Sequence, residues 1–147
     1  MRTRALDLNG DGTVTVREAR DMMALQFDNA TVTLDGAHVK RLVARQWKRG
    51  RDGAWHRGAL GVSSNVSADM SFSDRTATVR ELRIDGIPVT DDQTVLVAGN
   101  SFLLTGGDGF SDFLSGRDYR DTGVPYAQTL IDFLRSGGAF RSGTGNT

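Results

Sequence analysis

Apolar residues recur at helical spacing in three stretches of this chain and alternate in several others. Between Ala37 and Trp47, the residues Val39, Leu42, Val43 and Trp47 fall at i, i+3, i+4 and i+8, while Lys40, Arg41, Arg45 and Lys48 occupy the other face. One apolar stripe opposite a charged face predicts an amphipathic helix. Tyr126 to Leu134, with Leu130, Ile131, Phe133 and Leu134, predicts a second. A more ragged apolar face on Arg17 to Gln26, built on Ala19, Met22 and Met23, predicts a third. Strands are expected at Ala30–Leu34, Ala59–Val66, Ala68–Phe72, Thr76–Ile84 and Thr94–Ala98, where β-branched and apolar residues alternate with polar ones. Asp35-Gly36 reads as a turn, and Asp85-Gly86 as a hairpin turn into Ile87-Pro88-Val89. No internal repeat is visible. Helices and strands mixed without regular βαβ alternation predict an α+β domain over residues 1–136, followed by a disordered Gly/Ser tail over 137–147.

Composition narrows the function classes. Eighteen basic and eighteen acidic residues in 147 cancel, so no net basic field exists to hold nucleic acid, and none is expected as a partner. The absence of cysteine excludes disulfides and thiolate metal sites. No stretch approaches the ~20 apolar residues of a membrane span. Met1-Arg2-Thr3-Arg4 is followed by no apolar run, so no signal peptide is read here. The basic run Lys48-Arg49-Gly50-Arg51 reads as a solvated helix exit and loop.

The stretch richest in chemistry is Asn100 to Phe110, N-S-F-L-L-T-G-G-D-G-F. Three glycines in four residues permit positive φ and close backbone approach to a ligand. An aromatic, Phe102, and a carboxylate, Asp108, could supply a stacking surface and a hydrogen-bond acceptor, which is what a purine or nucleoside needs. A strand end followed by a tight turn explains the same residues without a ligand. This signature resembles that of the C-terminal domain of the 5'-nucleotidase / UDP-sugar hydrolase family. Phe27-Asp28-Asn29 with Thr31 to Lys40, Leu60-Gly61-Val62-Ser63-Ser64, the Asp85-to-Val89 hairpin and Asp121-Thr122-Gly123 are similar to further family segments, so the resemblance covers residues 12–136.

The resemblance implies a layered mixed sheet with helices that recognises the substrate's base and ribose. A separate N-terminal metallophosphatase domain would hydrolyse the phosphomonoester with two divalent metals that this chain does not bind. His38 and His56 lie in no motif of such a dimetal site. By position, Phe102 would stack on the base, Asp108 would accept from the ribose hydroxyls, and Asn100, Gly106 and Gly107 would shape the pocket. The family's phosphate-binding arginines would be represented by Arg2 and Arg4. Two departures stand out. The second stacking aromatic is replaced by Ala59, a loss worth ~1–3 kcal/mol of base stacking, with Trp55 the nearest aromatic. The Asn-Gly-Gly part of the arginine segment is missing. The family implies an extracellular, periplasmic or cell-surface location, and the chain reads as the distal part of a longer protein or a shortened reading frame.

A second metal pattern is independent of the resemblance. Asp7-Leu8-Asn9-Gly10-Asp11-Gly12-Thr13-Val14-Thr15-Val16-Arg17-Glu18 matches an EF-hand calcium loop. Asp7, Asn9 and Asp11 stand at positions 1, 3 and 5, Gly12 at the bend, Thr13 at the carbonyl position and Glu18 at the bidentate position. An Asp/Asn/Gly turn satisfies the same pattern. If calcium binds, the alternative function is a non-catalytic, calcium-stabilised extracellular binding or interaction module.

Overall fold

The computed structural model describes residues 11–23, 26–58 and 60–137. Their elements run α1 (Val16–Met22), β1 (Asp28–Asp35), α2 (Gly36–Arg45), β2 (Trp47–Arg49), β3 (Trp55–Arg57), β4 (Val66–Phe72), β5 (Ala77–Ile84) and β6 (Ile87–Pro88). After these come β7 (Thr94–Asn100), α3 (Ser101–Leu104), two short 3-10 turns (Gly107–Gly109 and Ser111–Ser115), β8 (Arg117–Pro125) and α4 (Tyr126–Arg135). Three sheets form among the described residues, ordered β7-β1-β8, β2-β3 and β4-β5-β6. Helices beside separate sheets make the chain α+β, as the mixed pattern predicts.

The chain divides into two compact units, one of residues 30–121 and one of residues up to 29 together with those from 122 onward. In the larger unit, β1 alternates as expected, with Ala30, Val32 and Leu34 buried. They form one core with Leu42, Leu104 and Phe113. A second core gathers Val43 of α2 with Val79, Leu82 and Val89. Asp85 and Gly86 both have positive φ, the conformation of a two-residue hairpin loop, and Pro88 lies in a two-residue edge strand where its missing N–H removes little. In the other unit, α1 packs Ala19 against Leu130 and Ile131 of α4. The Asn29 amide donates to the Val124 carbonyl at 3.0 Å and to Thr129 Oγ1 at 2.8 Å, and the Tyr126 N–H donates to the Phe27 carbonyl at 2.8 Å. The Phe-Asp-Asn segment thus anchors the start of α4.

Four expectations change. Gly36 opens α2 directly instead of sitting in a turn. Its N–H and that of Ala37 donate to the carbonyls of Gln93 and Asp91, and a Cβ at Gly36 would stand 2.0 Å from the Thr90 carbonyl oxygen. Trp47 leaves the helix and begins β2, because its backbone pairs across a hairpin with Arg57. Residues 60–65 form no strand: Gly61 to Asn65 are all exposed, so among the described residues this Gly/Ser-rich run shows no half-buried face of the kind that strands need. Conversely, β8 is a strand that is exposed at every position, so its side chains carry no alternation to reveal it.

Candidate functional site

The Asn100–Phe110 signature is a helical turn followed by a tight loop. Asn100 caps α3, its Oδ1 accepting from the Leu103 N–H at 2.8 Å. That satisfies one of the orphan donors at the helix start and orients the turn on which Phe102 stands. Leu104, two residues on, is buried in the core beneath, whereas Phe102 is 38% exposed. The Phe102 ring lies against Gly107, where an added Cβ would come within 2.5–2.6 Å of it. The glycine is required there for space. At Gly106, φ is +89°, so the requirement is conformational. Asp108 also takes positive φ, 53°, and is exposed beside Gly107. Positive φ at a non-glycine residue costs free energy, and Asp is among the few side chains that tolerate it.

The loop is tied down by a residue outside the expected set. Asp112 is 8% exposed. Its Oδ1 accepts from Arg41 Nε at 2.7 Å, and its Oδ2 lies 3.0 Å from Arg45 Nη2. Arg45 also donates to the Gly109 carbonyl at 3.2 Å. Arg41 and Arg45, one turn apart on α2, therefore clamp the glycine loop from its C-terminal side. Burial alone would raise the Asp112 pKa. The Arg41 hydrogen bond and the positive charges of Arg45 and Arg41 outweigh it, and the carboxyl titrates below its ordinary 3.8. By sequence, Arg41 and Arg45 read as wet face residues, and nothing local marks Asp112 as their partner about seventy residues away.

Of the expected ligand-site residues, the loop brings together Phe102, Gly106, Gly107 and Asp108, with Asn100 just before them as a cap. Arg2, Arg4 and Ala59 lie outside the described residues. So do Asp7 and Asn9 of the calcium pattern, and residues 138–147 of the expected tail. Within the remainder of that pattern, Asp11 Oδ1 accepts from the Thr13 N–H at 2.7 Å and Gly12 has φ +84°. Glu18 forms a capping box on α1, accepting from the Thr15 N–H at 2.9 Å while Thr15 Oγ1 accepts from the Glu18 N–H at 3.2 Å. Among the described residues, no group of three or more His, Cys, Asp or Glu side chains could hold a metal.

An open groove of about 470 Å³ lies elsewhere in the larger unit, lined by Arg41, Ala44 and Arg45 of α2, the β2–β3 hairpin and residues 75–77. Trp55 belongs to this groove, and neither Phe102 nor Asp108 lines it.

A sequence profile described as 5'-nucleotidase, C-terminal domain, matches residues 1–115. The chain belongs to the 5'-nucleotidase C-terminal domain family. The fold agrees: an NAD nucleotidase from Haemophilus influenzae superposes with a TM-score of 0.63 at 20% identity, over 89% of this chain and 26% of its own. A 5'-nucleotidase precursor from Thermus thermophilus gives 0.63 at 20% identity, over 88% of this chain and 26% of its own. The chain thus spans about a quarter of the length of these family proteins. No curated protein sequence matches it. No helix among the described residues is long and apolar enough to cross a membrane.

Proposed function

We propose that this domain recognises the nucleoside part of a nucleotide for a 5'-nucleotidase-type hydrolase. Phe102 stacks on the base and Asp108 accepts from the ribose hydroxyls. Asn100, Gly106 and Gly107 act indirectly, as the cap and the glycine backbone that set the Phe102 ring beside Asp108. Hydrolysis of the phosphomonoester belongs to a separate two-metal domain, and Arg2 and Arg4 are the candidates for phosphate contact within this chain. The observation that carries the reading is a partly exposed aromatic packed on the residue preceding an exposed carboxylate, in a chain whose family membership is established. Export to the periplasm or cell exterior accords with the reading, since one fold neighbour is named a precursor. The test is a titration of the isotope-labelled chain with adenosine and AMP. Saturable shifts at Gly106, Gly107 and Gly109 support the reading, and Phe102→Ala should weaken binding by ~1–3 kcal/mol, the worth of one stacked base. Unchanged affinity in both Phe102→Ala and Asp108→Asn would refute it.

Calcium at residues 7–18 is a second proposal, favoured by the turn at Asp11-Gly12-Thr13 and by a helix that starts inside the twelve-residue pattern. Binding would draw the Glu18 carboxylate from its capping box to the ion. Millimolar calcium should then raise Tm against EDTA, because a ligand that binds only the native state stabilises it by mass action. An unchanged Tm removes calcium and, with it, the calcium-stabilised interaction module.

A further inference from the structure

The groove beside α2 holds both tryptophans of the chain and five cationic side chains. It is built by two hairpins. In β2–β3, Trp47 pairs with Arg57 and Arg49 with Trp55, so the two tryptophans lie diagonally on one face. In β4–β5, Phe72 pairs with Ala77 at the end that closes through the tight turn of Ser73 to Thr76, the turn that carries Arg75. Phe72 meets Trp47 edge-on at 5.1 Å and Trp55 at 5.4 Å, joining the hairpins through one aromatic cluster. Arg49 adds a polar link, donating to the carbonyls of Gly53 and Asp74.

Charge is uneven here. Arg41 and Arg45 share the single carboxylate of Asp112, and Arg49 lies 3.7 Å from Asp74. Lys48 and Arg75 are exposed and have no ion pair among the described residues. Among the described residues, none that lines the groove is acidic. In a chain of zero net charge, this concavity carries about three positive charges that no carboxylate among the described residues offsets, beside two half-buried indoles. Both tryptophans keep part of their surface in the groove instead of being sealed in the core.

We infer that this groove is a second ligand site, separate from Phe102 and Asp108, for an organic phosphate that carries a planar ring. The phosphate is held by Lys48 and Arg75, and the ring lies on Trp47 or Trp55. Cations adjoining exposed indole surface match the two halves of such a molecule: charge-assisted hydrogen bonds for the phosphate oxygens and a π-surface for the ring. The open shape admits a ligand larger than a bare anion.

The chain's only two tryptophans lie in this groove, so indole fluorescence reports on it directly. The experiment titrates the full chain with ADP at low salt, exciting where adenine does not absorb, with pyrophosphate and adenosine as parallel arms. Expected are a saturable change with ADP, weaker binding of both pyrophosphate and adenosine, and an affinity reduced by about tenfold or more in Lys48→Glu/Arg75→Glu, the scale of one lost charge-assisted contact. Lys48→Gln/Arg75→Gln should fall between, with Tm confirming that both variants fold. Phe102→Ala/Asp108→Asn should leave the signal unchanged, so failure of the nucleoside site and failure of this one are read separately. An unresponsive signal, a response unaffected by charge reversal, or one lost in Phe102→Ala/Asp108→Asn would overturn the second site. Pyrophosphate binding as tightly as ADP would overturn its ring-recognising character.

Discussion

The glycine loop and the tryptophan groove lie in the same unit and became visible in opposite ways. The loop is contiguous: eleven residues from Asn100 to Phe110 hold its cap, ring, glycines and carboxylate. The groove draws on residues from 41 to 77, and its aromatic cluster exists only because two hairpins close in particular registers. In the loop most of the signature is occupied with building the turn. In the groove the basic residues are partly surplus to structure. A compact local motif therefore need not mark where uncommitted chemistry is greatest, and a charge run that reads as solvated surface can become one wall of a concavity.

The contrast can be broken most strongly at neighbouring residues of α3. Leu104→Ala should cost about 3 kcal/mol, since it empties a fully packed position, while Phe102→Ala, partly exposed, should cost about 1 kcal/mol in denaturant unfolding. Equal costs would make Phe102 a core residue and weaken its role in binding.

Next is the clamp. Asp112→Ala should cost about 2 kcal/mol, by removing hydrogen bonds to two half-exposed arginines and leaving their charges adjacent. Because the folded carboxyl titrates below its unfolded value of 3.8, the contribution is present above that value and is lost as pH falls through the lower folded pKa. Wild type should thus lose stability in acid faster than Asp112→Ala, and parallel acid denaturation curves would contradict the clamp. Removing Asp112 should also free Arg41 and Arg45, tightening ADP in the groove while loosening the glycine loop and weakening adenosine there.

A smaller effect is expected at the cap. Asn100→Ala should cost about 1 kcal/mol, the usual worth of an N-cap, with Asn100→Asp largely restoring it. If Asn100→Ala abolishes nucleoside binding without changing unfolding, Asn100 contacts ligand instead of capping.

Much of the fold was legible because it rests on local pattern. The buried alternation of Ala30, Val32 and Leu34, the amphipathic α2 and α4, and the Asp85-Gly86 hairpin turn all followed from spacing and turn chemistry. Strand β8 did not, since backbone pairing alone defines it and every side chain faces solvent. Trp47 satisfied helical spacing, yet pairing with Arg57 prevailed over that periodicity. The loop's glycine requirement was legible, and its physical form was not: Gly107 makes room for a ring, and Asp112 anchors the turn through α2. The groove stayed hidden because Trp47, Trp55 and Arg75 meet only through tertiary pairing.

The sharpest experiment is a two-dimensional amide spectrum of the labelled chain titrated with adenosine, reading the loop glycines and both indole N–H groups together. Adenosine carries the base and ribose without the phosphate, so it favours the nucleoside site over the groove, which it enters only weakly. Recognition by the loop predicts saturable shifts at Gly106, Gly107 and Gly109 that need about 5- to 150-fold more adenosine in Phe102→Ala, with the indoles nearly still. Still glycines, whether or not the indoles move, would contradict the assignment of nucleoside recognition to Phe102 and Asp108.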